Sequence, residues 1–331
     1  MSFLSIDERS SPYPATNLER DKWILERRPA RETLDPQKPY LFFVEQELSA
    51  SGEILPVATI FLTNRECPWR CVMCDLWRNT LTTSVPPGAI PAQIDFALSQ
   101  LPVARVLKLY NSGSFFDSRA IPVEDHHAIA ERANNFERLI VENHPALVDD
   151  HCLRFRDRLQ CRLEIAMGLE TVHPDILPKL NKRMTLEQFS AAANFLRAHD
   201  IYLRVFVLVQ PPFMPAHEAV LWAQRSVDFA FDCGATAVTL IPTRGGNGAM
   251  EALASHQQFS PPRLGTLEAS FSYGLGLKRG RVFADLWDAE KIPSCPVCRI
   301  PRIARLRDMN LSQVNLAPAR CDRCDSCAPT N

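Results

Sequence analysis

Val57-Ala-Thr-Ile-Phe-Leu-Thr63 is an apolar run, and after three further residues the chain reads Cys67-Pro-Trp-Arg-Cys71-Val-Met-Cys74. A short β-branched, apolar stretch of this kind predicts a buried strand. The loop after it carries three thiols at CxxxCxxC spacing. A 4Fe–4S cluster is usually held by four cysteine thiolates, so a compact set of three leaves one iron open to a small molecule. Two other readings compete. Free cysteines pack as small hydrophobes, and zinc takes four ligands, usually from paired CxxC motifs. No fourth cysteine or histidine sits beside Cys67, Cys71 and Cys74 to complete a zinc site.

Further strand patterns follow. Tyr40–Leu48 and Ile54–Thr63 flank the turn Ser49-Ala-Ser-Gly-Glu53 and predict a hairpin. Apolar runs recur at Val103–Tyr110, Arg138–Glu142, Cys161–Met167, Tyr202–Val209 and Ala235–Ile241. Helical stretches lie between them. In Thr185–Asp200, Leu186, Phe189, Ala193 and Leu196 fall at helical spacing, and Ala216–Cys233 ends on Gly234, a C-terminal cap. Counting the strand before the triplet gives six βα repeats. Such alternation means parallel strands with right-handed crossovers, in a doubly wound sheet or a barrel. Either architecture puts its active site at the carboxyl ends of the strands, and the triplet lies there after the first one.

The later strand ends carry polar groups that should converge on it. They are Asn111-Ser-Gly-Ser-Phe-Phe-Asp117, Glu142-Asn-His-Pro145, Gly168-Leu-Glu-Thr171, Gln210-Pro-Pro-Phe213 and Pro242-Thr-Arg244. The small residues Ser112, Gly113 and Ser114 admit close backbone approach to a ligand. Glu142 and Glu170 are the candidate ligand-binding carboxylates of this rim. The turn Arg244-Gly-Gly-Asn-Gly248 lacks the lysine of a phosphate loop.

Composition bounds the rest. The 331 residues include 11 cysteines and carry a formal net charge of −1, with no global pull on polyanions. Of 37 basic residues 7 are lysine, leaving 30 arginines. The start has no basic-then-apolar leader, and no run reaches the length of a membrane span. Cysteines in such a chain read as metal or redox ligands rather than disulfides, which predicts a cytoplasmic protein without a membrane partner. Three regions are expected: an irregular lead-in over 1–39 with a short helix near 18–27, a core over 40–250, and an extension over 251–331.

The extension holds a second group, Cys295-Pro-Val-Cys298 and Cys321-Asp-Arg-Cys324-Asp-Ser-Cys327. Paired CxxC spacing suits a structural zinc ion, and an auxiliary iron–sulfur cluster takes the same four thiolates. Over 295–327 six arginines face three aspartates, and Lys278-Arg-Gly-Arg281 lies nearby. That suits a phosphate-binding appendage, or a basic solvated loop. Cys152, Cys161 and Cys233 fall in helix or strand patterns and read as packed thiols.

The triplet resembles that of the radical S-adenosylmethionine (SAM) superfamily. Leu107–Asp117, Glu142-Asn-His-Pro145, Met167-Gly-Leu-Glu-Thr171 and Leu208–Phe213 resemble the Elongator-like branch, nearest the archaeosine-synthase radical SAM subunit and its bacterial relatives. The resemblance covers roughly 40–245. It implies an α/β fold, a partial (β/α)6 TIM-like barrel with a small Cys-rich C-terminal extension. It implies that Cys67, Cys71 and Cys74 hold a 4Fe–4S cluster whose open iron chelates SAM. Reductive cleavage would then give a 5′-deoxyadenosyl radical that abstracts substrate hydrogen. By position Ser112, Gly113 and Ser114 match the segment that receives the methionine amino group, and Met73 the residue whose backbone borders the adenine. Family members commonly have an aromatic residue there, and a thioether still packs on a ring. Glu142 and Glu170 become candidates for the ribose or amine. The relatives imply a tRNA or other nucleic-acid substrate, nucleoside modification of the transferase or lyase type, and a reductant such as flavodoxin or ferredoxin. A radical SAM enzyme of peptides or small metabolites is the alternative, as is a non-catalytic iron–sulfur and zinc module binding RNA or protein.

Overall fold

The hairpin and the βα repeats are built as one sheet. The computed structural model describes residues 12–324. Helix α1 (Asn17–Leu25) precedes β1 (Leu41–Leu48) and β2 (Ile54–Phe61). Alternation then runs through α2 (Ala89–Leu98), β3 (Val106–Tyr110), α3 (His126–Ala133), β4 (Arg138–Glu142), α4 (Asp150–Arg156), β5 (Arg162–Glu170), α5 (Leu186–Ala198) and β6 (Tyr202–Val209). It continues with α6 (Ala219–Asp232), β7 (Ala237–Pro242), α7 (Ala249–Ser255), α8 (Leu264–Leu277), β8 (Arg281–Ala284) and α9 (Arg299–Ser312). Strand order follows chain order from β1 to β8. The β1–β2 pair is antiparallel, and every later pair is parallel. The sheet curls into a TIM-like half-barrel with helices on its outer face.

Local chemistry sets these elements. Thr185 caps α5 in a reciprocal capping box with Gln188, and Thr16 does the same for α1 with Glu19. Gly234 takes φ +91° after α6, as its place in the sequence predicts. Along each strand side chains alternate between two environments. Ile60, Leu107, Leu109, Val141, Ile165, Val205 and Leu240 face the helices in the main core. Val57, Val106, Ile140 and Ala166 face the inside of the curl, beside Tyr110 and Phe206. Each fully buried aliphatic side chain contributes about 1.5–3 kcal/mol.

The sheet has one parallel strand more than the six repeats counted from sequence. Strand β8 lies in the stretch read as an extension, yet it pairs with β7 from Ala237↔Arg281 to Leu240↔Ala284. Arg281, read as part of a surface basic cluster, is buried inside the curl. It joins a network at the amino ends of the parallel strands. Lys108 Nζ lies 2.7 Å from Glu47 and 2.8 Å from Glu45, and Arg204 Nε lies 2.7 Å from Glu164. Arg204 also donates to Glu47, Arg138 to Glu164, and Arg281 Nη1 to the Leu48 carbonyl at 3.2 Å. Burial pushes the Glu47 carboxyl up, but Arg204 and Lys108 outweigh it and hold Glu47 well below the usual carboxylate range. These groups form a charged floor and bridge edge strands β1 and β8. Among the described residues no helix is long and apolar enough to cross a membrane.

Candidate active site

The cysteine loop leaves β2 at the end of the barrel opposite the floor. Its backbone is pinned from several elements. Val72 N donates to Leu180 O at 3.0 Å, Asn181 Nδ2 donates to Arg70 O at 2.7 Å, and Asn247 Nδ2 donates to Val72 O at 2.8 Å and Cys74 O at 3.1 Å. Trp77 Nε1 donates to Cys74 O at 3.1 Å. Trp69 stacks on the His144 ring, with centroids 3.8 Å apart. Glu66 sits among Arg28, Arg31 and Arg70 just before the first cysteine. The lead-in also reaches this rim: Tyr13, Trp23 and Ile24 share an apolar cluster with Val72, Leu180 and Met250, against which Met73 packs.

All three thiols are free, and burial pushes each of Cys67, Cys71 and Cys74 up to about 12. Thiolates there need compensating positive charge, which bound irons provide. Three cysteine thiols on one loop are the donor set that an iron–sulfur cluster with one open iron takes. Gly113 lies directly against Cys67: a β-carbon at this position would sit 3.2 Å from Cys67 Cβ. Ser112, at φ +53°, bonds Tyr40 through the two hydroxyls at 2.9 Å. Ser114 Oγ accepts the His144 N–H at 3.0 Å and so ties the β3 and β4 ends together.

Glu142 does similar work with one oxygen. Its Oε1 accepts the N–H of Asn111 at 2.6 Å and of Gly113 at 3.2 Å. Burial nonetheless pushes its carboxyl up to about 7, against those hydrogen bonds. Glu170 ends β5 in the left-handed region, at φ +66°, and is ion-paired with Lys182 at 2.5 Å. Burial disfavours the Lys182 ammonium, but Glu170 and the cysteine sulfurs keep it charged. His144 is pushed down to about 3 by burial and by Lys182. It is therefore neutral; Nδ1 accepts from Ala146, which leaves Nε2–H to donate to Lys182 O at 3.1 Å. Left-handed residues end three parallel strands here, Ser112 after β3, Glu170 at β5 and Gln210 after β6. Backbone strain of this kind concentrates at functional sites.

Asn181, Lys182 and Asn247 are absent from the sequence reading. Asn181 and Lys182 follow neither a cysteine motif nor a strand end, and Asn247, just beyond the β7 end, stands out in the sequence only within a turn that lacks a phosphate loop's lysine. The signal for Asn181-Lys182-Arg183 is a run of polar residues one residue before the α5 cap Thr185.

The second group is also assembled. The sulfurs of Cys295, Cys298, Cys321 and Cys324 all lie within 4.8 Å of one another, with Cys295–Cys321 at 4.0 Å and Cys298–Cys324 at 3.7 Å. This set can hold a metal. Cys327 lies outside the described residues. Arg302 reaches from Glu268 to within 4.0 Å of Cys298 Sγ. Cys152 and Cys233 are buried, and Cys161 is half-buried.

No protein-family model matches the chain. It is 24% identical over 250 residues to an uncharacterised protein of Methanocaldococcus jannaschii, covering 71% of this chain and 68% of that one. It is 27% identical over 224 residues to the archaeosine synthase subunit beta of Methanosarcina acetivorans, covering 62% of this chain and 63% of that protein. The chain thus spans just under two thirds of that subunit. Among solved structures, methylornithine synthase superposes with a TM-score of 0.51 at 12% identity, over 76% of this chain and 69% of that one. In sequence the chain is similar to the archaeosine synthase subunit beta, and in fold to methylornithine synthase. The fold agrees with the partial TIM-like barrel that the resemblance implies.

Proposed function

We propose that this chain is a radical SAM enzyme acting on a nucleoside of RNA. The observation that carries the reading is the convergence on one rim of the CxxxCxxC loop, the Gly113 backbone against Cys67, and the charged Lys182–Glu170 pair. When bound, the cluster supplies the electron that cleaves SAM to a 5′-deoxyadenosyl radical. The chain's own groups bind and orient. Cys67, Cys71 and Cys74 hold the iron. The Ser112–Ser114 turn, kept open by Glu142 Oε1, offers backbone and hydroxyl groups to the methionine amino end. Lys182 offers positive charge to its carboxylate, and Glu142 Oε2 and Glu170 offer acceptors to the ribose or amine. Met73 borders the adenine from the apolar cluster beneath α1. The floor network fills the amino end of the curl, and the stacked Trp69–His144 pair braces the cysteine loop.

Similarity to an archaeosine synthase subunit supports an RNA nucleoside as substrate and a protein that completes the modification as partner. A low-potential reductant such as flavodoxin or ferredoxin is the electron donor. For the second site a single tetrahedral zinc ion fits better than a cluster. Four sulfurs about 2.3 Å from one ion lie about 3.8 Å apart, close to the 3.7 and 4.0 Å separations of two pairs here.

Anaerobically reconstituted protein with SAM and dithionite should release 5′-deoxyadenosine, and Cys71→Ala should abolish it. Cluster-loaded protein that releases none under verified reduction would refute the enzyme reading. Nucleoside mass spectrometry of tRNA from a deletion strain tests the substrate, and a profile identical to the parent's would redirect the search to peptides or metabolites.

A further inference from the structure

Beside the four-cysteine site, helices α8 and α9 bring their amino ends to one cleft of about 890 Å³. Arg263, Arg299, Arg302, Arg305 and Arg323 line it, and Glu268 is the one carboxylate among its described lining residues. Five guanidiniums against that carboxylate, and against the two net negative charges of a tetrathiolate holding a divalent ion, leave an excess of two positive charges. The arginines divide into two sets. Arg302 is buried on Glu268, Arg305 donates to Leu316 O at 2.7 Å, and Arg299 donates to Ser294 Oγ at 2.9 Å. These three are held in place by the fold. Arg263 and Arg323 are exposed, and among the described residues neither guanidinium has a hydrogen-bond or ion-pair partner.

The helix ends add to this charge. Both helices have 14 residues, and neither N-cap, Arg263 for α8 and Cys298 for α9, closes its first turn with a side chain. Uncapped first-turn N–H groups and the positive ends of two helix dipoles favour an anion. Guanidinium forks match the oxygens of phosphate, with charge-assisted hydrogen bonds about twice as strong as neutral ones.

We propose that this cleft is a phosphate-binding site, with Arg263 and Arg323 as the groups that close on the ligand and Arg299 as a fixed contact. It takes phosphate esters, supplied by a polynucleotide backbone or by a free nucleotide. The site needs neither the barrel cluster nor SAM, so it stands or falls separately from the enzyme reading.

Metal-loaded full-length protein is titrated with a fluorescein-labelled RNA hairpin by anisotropy between about 50 and 200 mM KCl, and with inorganic pyrophosphate by calorimetry. At least one probe should bind. Arg263→Ala and Arg323→Ala should each weaken it roughly tenfold. For the hairpin, the double variant should flatten the plot of log affinity against log salt by about 1.4–1.8. Binding of hairpin alone identifies the backbone as the source, and binding of pyrophosphate alone a free nucleotide. Arg154→Ala, on α4 away from the cleft, should change nothing, and the Arg263→Lys/Arg323→Lys protein should recover part of the affinity. Wild-type protein that binds neither probe overturns the proposal. So does a folded double-alanine variant with wild-type affinity and salt slope.

Discussion

Replacing Glu142 by glutamine should remove a pH-dependent instability built into the rim. Burial raises this carboxyl from its ordinary 4.5 to about 7 in the folded chain, despite N–H donors from Asn111, Ser112 and Gly113. The sign follows from linkage. Between about pH 4.5 and 7 the unfolded chain has lost this proton and the folded chain still holds it, so stability falls as pH rises through that window. Below it both states are protonated, and above it both are ionised with the full cost in place. At about 1.4 kcal/mol per pH unit, the cost is about 3 kcal/mol. Glutamine keeps the shape, and its carbonyl oxygen can still accept from Asn111 and Gly113. The assay is urea unfolding of cluster-free, reduced protein at about pH 5 and pH 8, on either side of most of the window. Relative to the natural chain, the Glu142→Gln protein should gain about 2.5 kcal/mol more at the higher pH than at the lower. Parallel stability curves for the two proteins would refute the argument, because they would mean that Glu142 is no harder to ionise in the fold than out of it.

The two cysteine groups should load independently. Elemental analysis should find iron lost and zinc kept in Cys71→Ala, and the reverse in Cys298→Ala; one variant emptying both sites would count against separate centres. Arg204→Met strips a shared partner from buried Glu47 and Glu164, and should cost about 3–5 kcal/mol in urea melts, while a loss below about 1 kcal/mol would mean that Arg138, Lys108 and Arg281 suffice. Gly248 holds φ +84°, and a β-carbon there would overlap the Arg27 carbonyl. Gly248→Ala should therefore cost about 1–3 kcal/mol and speed proteolysis in the lead-in just after α1, a change absent if the lead-in is only loosely attached.

Much of this architecture is written in local pattern. The triplet, the hairpin turn at Gly52 and the apolar runs sufficed for the sheet and for the end of it that carries chemistry. What escaped was set by distant contacts. Strand β8 has four residues and opens on an arginine, so no run of hydrophobes announces it. Lys108 and Arg204 sit inside apolar runs as single charges, and nothing local tells that each faces carboxylates brought by other strands. Lys182 and Asn247 owe their place at the rim to loops whose paths are fixed by packing. Arg281 reads as surface charge beside Lys278 and Arg279, and only the turn of the strand carries it inward.

The floor also has a consequence for biosynthesis. Glu47 is made early, but its partners Arg204 and Arg281 lie 157 and 234 residues later. At about 5–20 residues per second, a ribosome needs roughly 12–47 s to supply the last of them. Until Arg204 is made, the nascent sheet carries acidic side chains on its inner face with only Lys108 and Arg138 to offset them, and Arg281 joins last. The barrel therefore cannot seal progressively from its first strand, and the chain must be nearly complete before its interior becomes stable.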